Sequence, residues 1–383
     1  MSAADISRRV IVVGGGIAGL AVSMRLAQAG FPVILLEASE LGSAASARNQ
    51  GWLHSGALFA LDTPPYARAC MAALDQTLRF CPECIEPDAS PMLYLFSRDD
   101  ADVGSWTQAW TAAGIPWHSI PINSACAGLT GLDTTRIRYA FQLPDRAIRT
   151  SHLLFRLAAA AQAAGVEVRA CTPARCLPIE NRRIYGVVTS SGEVIYGQMV
   201  ILAGGSSGLD MCSEFLEQCP GGQADFELIR LKSHLAALQP MIGPTPFCIP
   251  DAGGLNHLPH GTSSVFGSTQ WERVSTADDL PIPKHVERLK QTIDEFFPDQ
   301  ISRSDSLQLW AGTTAQALRF DQIEAGRDIW PAVIDHARHV PPVDNLISVF
   351  AGRATLWAKL AEDTRRIVRA KLDVGPLQPA PRI

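Results

Sequence analysis

The stretch Arg9–Glu37, RVIVVGGGIAGLAVSMRLAQAGFPVILLE, constrains this chain more than any other. Val10–Val13 is a short run of β-branched residues that predicts a buried strand. It enters Gly14-Gly15-Gly16-Ile17-Ala18-Gly19, a match to G-x-G-x-x-G. Good helix formers follow from Ile17 to Ala29, Gly30 stops the helix, and Val33–Leu36 predicts a second strand ending in Glu37. These offsets describe one βαβ unit. In it Gly14 permits the tight turn, Gly16 admits a pyrophosphate to the backbone, and Gly19 lets helix and sheet approach closely. Unpaired helix amides at Ile17 and Ala18 would face the phosphates, and Glu37 would accept the adenosine ribose hydroxyls. A carboxylate there repels a 2′-phosphate, so FAD or NAD is expected rather than NADP.

The 383 residues suffice for two domains with a substantial core. A net charge of −5, with no Lys/Arg run, gives no electrostatic reason to bind nucleic acid. No run of about 18 uncharged apolar residues predicts an integral membrane segment. The apolar N-terminal stretch is interrupted by three glycines and Arg25, which fits strand plus helix better than a signal peptide. Nine scattered cysteines favour reduced thiols and a cytoplasmic location. The pair Cys81-Pro82-Glu83-Cys84 lacks a second C-x-x-C, His54, His118 and His152 are not at ligand spacing, and the i, i+3 pair His257 and His260 lacks a third ligand, so no metal site is expected.

Beyond Glu37, Ala38–Leu58 (ASELGSAASARNQGWLHSGAL) is rich in small residues, as suits backbone passing close to a flat ligand. A helix is predicted over 65–85, a strand over 91–96, and a short helix over 105–113 with Trp106 and Trp110 packed on one face. Thr150–Ala164 predicts a helix capped by Thr150 or Ser151 and ended by Gly165. A strand follows over 166–170. Ile184–Thr189 and Val194–Tyr196 flank Ser190-Ser191-Gly192 as a hairpin, and Met199–Ala203 predicts a buried strand running into Gly204-Gly205. Strands are expected over 226–239, 263–268, 307–310 and 346–350, with helices over 285–297 and 353–372.

These motifs together resemble the FAD-dependent oxidoreductases of the D-amino-acid oxidase superfamily. The likeness rests on VIVVGGGIAGL with Glu37, SARNQGWLHSGAL, MVILAGGSS and NLISVFAGRATLWAKLAED. The second and fourth look nearest the glycerol-3-phosphate dehydrogenase and 2-hydroxyacid oxidase branch. The resemblance implies an α/β Rossmann-like FAD-binding domain, discontinuous over 1–69, 145–225 and 330–383. An α+β substrate domain with a mixed or antiparallel sheet would span 70–144 and 226–329. FAD would contact Gly14, Gly16, Ile17, Ala18, Gly19, Glu37 and Ala38. It would also contact Ser46, Arg48, Asn49, Gln50, Gly51, Trp52, Leu53 and His54, and further on Ala203, Gly204 and Gly205. The helix entered by Gly352, Arg353, Ala354, Thr355 and Leu356 would stabilise the negative charge that develops on a reduced flavin.

The implied reaction takes a hydride from a CH–OH or CH–NH carbon of a small polar substrate to flavin N5. Oxygen or another acceptor would then reoxidise the flavin. In the nearest branch a histidine matching His54 lies by the flavin, which makes His54 a polar neighbour or proton acceptor. Dimethylglycine and sarcosine dehydrogenases carry FAD covalently on the histidine of a similar W-H-x-x-G-L. Here Trp52-Leu53-His54 is offset by one residue, so non-covalent FAD is expected. His257 and His260, in GGLNHLPHG, are further candidates for a catalytic base. Where the superfamily often has a carboxylate-binding Gly-x-Arg, this chain has Gly312-Thr313-Thr314. Thr314 and Arg319 are the substrate-binding candidates, and a simple α-amino acid becomes a weaker expectation. An FAD monooxygenase is disfavoured because Phe350-Ala351-Gly352-Arg353 replaces the usual Gly-Asp-Ala. A tRNA-modifying flavoprotein is disfavoured by the charge, and a non-catalytic nucleotide-binding regulator would show no flavin bleaching with substrate.

Overall fold

The computed structural model describes residues 8–217, 226–267, 271–319, 330–338 and 342–372, with only the backbone described at 214–217 and 319. The chain divides into two compact units, Met1–Ala47 with Ser151–Arg230 and Thr314–Ile383, and Arg48–Thr150 with Leu231–Thr313.

The first unit is built on the opening motif. β1 (Val10–Val13) leads through the glycine turn into α1 (Ile17–Gln28), and β2 (Val33–Leu36) returns parallel to β1. On the other side β1 pairs in parallel with Met199–Leu202, which pairs with Leu346–Phe350, while β2 pairs with Glu167–Arg169. Ala332–Asp335 closes the edge antiparallel to Leu346–Phe350. Every residue of β2 and of Met199–Leu202 is buried, the mark of strands covered on both faces. Each such aliphatic side chain contributes about 1.5–3 kcal/mol of burial free energy. Strand order reverses across β1, so the crevice at its carboxyl end, where the glycines lie, is the topological switch point of the sheet. The C-terminal helix Trp357–Leu372 lies along α1, with Arg25 and Glu362 paired at 3.4 Å.

Several expectations are adjusted here. The hairpin Gly186–Thr189/Val194–Tyr196 gains a third strand, Ala174–Cys176. The last helix begins at Trp357, because Ala354–Leu356 winds as a single 3-10 turn with Arg353 in extended backbone before it.

The second unit is a large, mostly antiparallel sheet. Its order runs Glu272–Val274, Phe226–Gln239, Ser263–Gly267, Leu255–His260, Phe247–Ile249, Met92–Phe96, Tyr139–Leu143 and His118–Ser119, and Ser306–Arg319 pairs with Phe226–Gln239. Phe247–Ile249 and Met92–Phe96 pair in parallel, so the sheet is mixed. Phe247, Phe266, Phe296 and Phe297 fill one core, and Tyr94, Phe96, Trp110 and Phe141 fill another. Trp110 is fully buried with its indole N–H donated to the Ala57 carbonyl at 3.0 Å, so the tryptophan pair is packing. The predicted helix over 65–85 ends at Phe80, and Pro82–Cys84 forms a separate 3-10 turn. Both C-x-x-C thiols are buried there, with Cys81 pushed up to about 11 and Cys84 higher still by burial.

The unit limits also differ from those expected. Residues 48–69 and 145–150 pack in the second unit. Trp52–Leu53 pairs antiparallel with Arg146–Ala147, and the Asp145 side chain binds Trp52 and Ser55. These contacts tie the loop after Ser46 to its own unit.

Candidate functional site

In the first unit the glycine turn is packed so tightly that side chains are excluded. A Cβ on Gly19 would lie 1.8 Å from the Gly14 carbonyl oxygen, and one on Gly14 would lie 2.4 Å from that of Ala203. Gly14 also holds φ at +116°, a region side chains rarely adopt. The start of α1 therefore sits against the turn after Met199–Leu202, and the Ala203 amide donates to the Val13 carbonyl at 2.7 Å. The Ser46 hydroxyl accepts the Ile17 amide at 3.1 Å, placing a side-chain hydroxyl at the helix N-terminus. Glu37 accepts the Gly15 amide at 2.6 Å through Oε2 and the Ser39 amide at 2.9 Å through Oε1. Each carboxylate oxygen retains a further lone pair, so Glu37 is both fixed and able to accept ribose hydroxyls. Gly14, Gly16, Gly19, Glu37, Ser46, Ala203 and Gly204 are thus gathered at one crevice, and they fit a dinucleotide's pyrophosphate and ribose.

Gln316, which the sequence did not single out, links two other candidates in this unit. Its buried amide donates to the Gly352 carbonyl at 3.1 Å and to the Thr314 hydroxyl at 3.3 Å. Thr314 is therefore a neutral acceptor beside the turn at Gly352, where the superfamily often supplies a guanidinium. The side chain of Arg319 lies outside the described residues.

In the second unit residues 48–59 are shaped by long-range hydrogen bonds. Asn49 accepts the Gly51 amide at 2.8 Å and the Thr150 hydroxyl at 3.0 Å. Gln50 donates to the Asn256 side chain and to the Val265 carbonyl, and Arg48 pairs with Asp279. Trp52 donates its indole N–H to Asp145 at 2.8 Å and stacks on His54, the ring centroids 4.3 Å apart. His54 is 6% exposed, packed also against Phe59, with Nδ1 4.0 Å from Asp145 Oδ1.

The two later histidines lie on a strand, Leu255–His260, hairpinned onto Ser263–Gly267. His257 is wholly buried, stacked on Phe247, with Nε2 at 3.0 Å from the Ser264 hydroxyl and Nδ1 at 3.2 Å from the Thr245 carbonyl. Burial pushes it down to about 3. With both nitrogens engaged by the protein, His257 is a neutral core residue. His260 donates from Nε2 to the Gln50 carbonyl at 2.8 Å, and its Nδ1 lies 3.7 Å from buried Glu86, which also accepts the Gly261 amide. It braces the Gln50–Gly51 backbone. Asp145, Glu86, Asn256 and Gln316 are the residues sequence reasoning missed.

Among the described residues no group of His, Cys, Asp and Glu side chains is placed to hold a metal ion, and no helix is long and apolar enough to cross a membrane. Residues 9–340 match the family described as DAO: FAD dependent oxidoreductase. The chain belongs to this family. Over 319 residues it is 28% identical to a glycine oxidase of Pseudomonas aeruginosa, covering 80% of this chain and 82% of that protein. It is 22% identical over 394 residues to the anaerobic glycerol-3-phosphate dehydrogenase subunit A1 of Haloferax volcanii, covering 96% of this chain and 64% of that protein. The fold is that of the Mycoplasma pneumoniae L-α-glycerophosphate oxidase solved with FAD bound. The TM-score is 0.71 at 16% identity, over 98% of this chain and 97% of that one. This DAO-family protein is accordingly an FAD-dependent oxidoreductase.

Proposed function

We propose that the chain oxidises the CH–NH or CH–OH carbon of a small polar molecule, with the first unit binding FAD and the second supplying the substrate's contacts. The observation that carries this reading is the glycine crevice of the first unit with its fixed acid, Glu37. Within the second unit a buried histidine, His54, is backed by a carboxylate. Bound FAD supplies a two-electron acceptor for hydride. The chain's own residues then have three tasks. Gly14–Gly19, Ser46 and Glu37 bind the dinucleotide's polar groups through backbone amides, a hydroxyl and a carboxylate. The turn at Gly352, fixed by Gln316, presents its amides where negative charge develops. His54 accepts the proton that leaves the substrate nitrogen or oxygen as the hydride leaves carbon.

Thr314 offers a hydroxyl in place of a guanidinium, so recognition by bidentate carboxylate pairing is not available at that position. This supports a donor other than a simple α-amino acid. We further place FAD as non-covalently bound and the protein in the cytoplasm, with oxygen or another small acceptor closing the cycle. The cysteines among the described residues are free, which suits a reducing compartment.

The test is anaerobic absorbance spectroscopy of the purified protein against secondary amines, amino acids, 2-hydroxy acids and polyol phosphates. Loss of the oxidised flavin band with one of these classes is expected. A spectrum unchanged by all of them, yet bleached by dithionite, would overturn the substrate assignment. Acid precipitation is expected to release the yellow colour into the supernatant.

A further inference from the structure

Asp145 is completely buried, and the groups hydrogen-bonded to its carboxylate are all donors. On Oδ1 these are the Trp52 indole at 2.8 Å, the Ser55 amide at 3.1 Å and the Tyr94 hydroxyl at 3.4 Å. The Ser55 hydroxyl reaches Oδ2. That hydroxyl itself accepts the Ala57 amide at 3.2 Å, so its hydrogen points to the carboxylate. Four donor contacts on one carboxylate favour its ionised form. Burial still leaves its pKa above the ordinary carboxylate value, the Ser55 and Trp52 donors opposing part of that rise.

The donors stabilise this charge without cancelling it. Tyr94 and Cys248 face it and stay neutral, both pushed well up by burial and by Asp145. Arg146 is half-buried and donates to the Asp145 backbone carbonyl at 3.3 Å. Arg146 also feels the Asp145 charge, and among the described residues His54 is a further titratable group beside it, its Nδ1 4.0 Å from Oδ1. The residues that bind the carboxylate, Trp52 and Ser55, also flank His54 in sequence, and Trp52 stacks on its ring. A fixed anion here therefore both locks the segment that carries the imidazole and lowers the free energy of the imidazolium.

We infer that Asp145 is the positioning residue for His54, orienting the ring through Trp52 and Ser55 and balancing the charge when His54 takes the substrate proton. The second half rests on the proposed role of His54 as proton acceptor, and the first half stands apart from it. On that reading the proton from the breaking O–H or N–H bond goes to the His54 imidazole, and the hydride leaves carbon with its electron pair for FAD.

The experiment is a pH titration of FAD-loaded protein carrying 13C-labelled histidine, the His54 resonance identified by its loss in His54→Gln. Asp145→Asn is expected to move the His54 midpoint down by about 1–2 pH units, as loss of an opposite charge at this distance requires. Tyr94→Phe, which removes one donor and leaves the carboxylate less shared, is expected to move it up by a smaller step. It provides the readout if Asp145→Asn does not fold. A His54 midpoint unmoved in folded Asp145→Asn, or not raised in Tyr94→Phe, overturns the pairing. The acid limb of anaerobic flavin reduction is expected to follow the same shifts. A moved midpoint with an unmoved limb upholds the pairing and overturns the proton-acceptor role.

Discussion

The two units hold their functional groups by opposite means. In the first, backbone does the work. Glycines bring Gly14, Gly19 and Ala203 within distances that exclude any Cβ, and the Gly15 and Ile17 amides bind Glu37 and Ser46. In the second, side chains far apart in sequence do it, with Asp145 holding Trp52 and Ser55, Asn49 holding Thr150, and His260 holding Gln50. A backbone site is vulnerable chiefly at its glycines and at the few side chains, here Glu37 and Ser46, that complete it. A side-chain site concentrates its stability in a few buried polar atoms, and losing one leaves others unsatisfied.

This contrast ranks the expected effects. Gly19→Val puts side chain into the Gly14 carbonyl, and the protein is expected to purify colourless, with no flavin absorbance recovered on adding FAD. A yellow Gly19→Val protein would show that the turn yields more readily than its packing implies. In the second unit, Asp145→Ala strands the Trp52, Ser55 and Tyr94 donors and should lower unfolding free energy by about 3–5 kcal/mol, read by denaturant titration. Glu37→Gln keeps the shape but weakens a charge-assisted acceptor. FAD affinity is expected to fall about 10- to 100-fold, equivalent to roughly 1.5–3 kcal/mol, measured by fluorescence titration of the apoprotein.

The smallest effect is a pH slope. His257 and His234 are pushed down by burial to about 3 and about 4, so the unfolded chain takes up their protons first as pH falls below about 6.5. Their contribution is level above that value and is lost steadily as pH drops toward 4. His257→Gln, which can still engage Ser264 and Thr245, is expected to flatten this slope in denaturant melts between pH 6.5 and 4.

The same contrast explains what could be read in advance. The strand, glycine turn, helix and acid of Arg9–Glu37 follow local rules, and the structure reproduces β1, α1 and β2 almost to the residue. The position of Glu37 at the end of β2 was legible from the βαβ spacing, whereas the Ser46 bond to the Ile17 amide, 29 residues away, was not. Asp145 was not, because its partners at Trp52, Ser55 and Tyr94 lie in segments that only the folded sheet assembles. The surroundings of His257 were not legible either, since nothing in GGLNHLPHG shows that Leu255–His260 is covered on both faces and makes the imidazole a core hydrogen-bonding group. The unit limits moved for a related reason, since pairing of Trp52–Leu53 with Arg146–Ala147 outweighs sequence proximity to Ser46.

On the proposed function His54 takes the proton while FAD takes the hydride. Anaerobic stopped-flow reduction of wild type and His54→Ala, with a substrate that bleaches the flavin, tests this division of labour. Removal of a positioned base predicts a loss of about 10²- to 10⁴-fold in the reduction rate. FAD content and the rate of dithionite bleaching are expected to stay at wild-type values. Reduction of His54→Ala at the wild-type rate, with the same pH dependence, would contradict the claim.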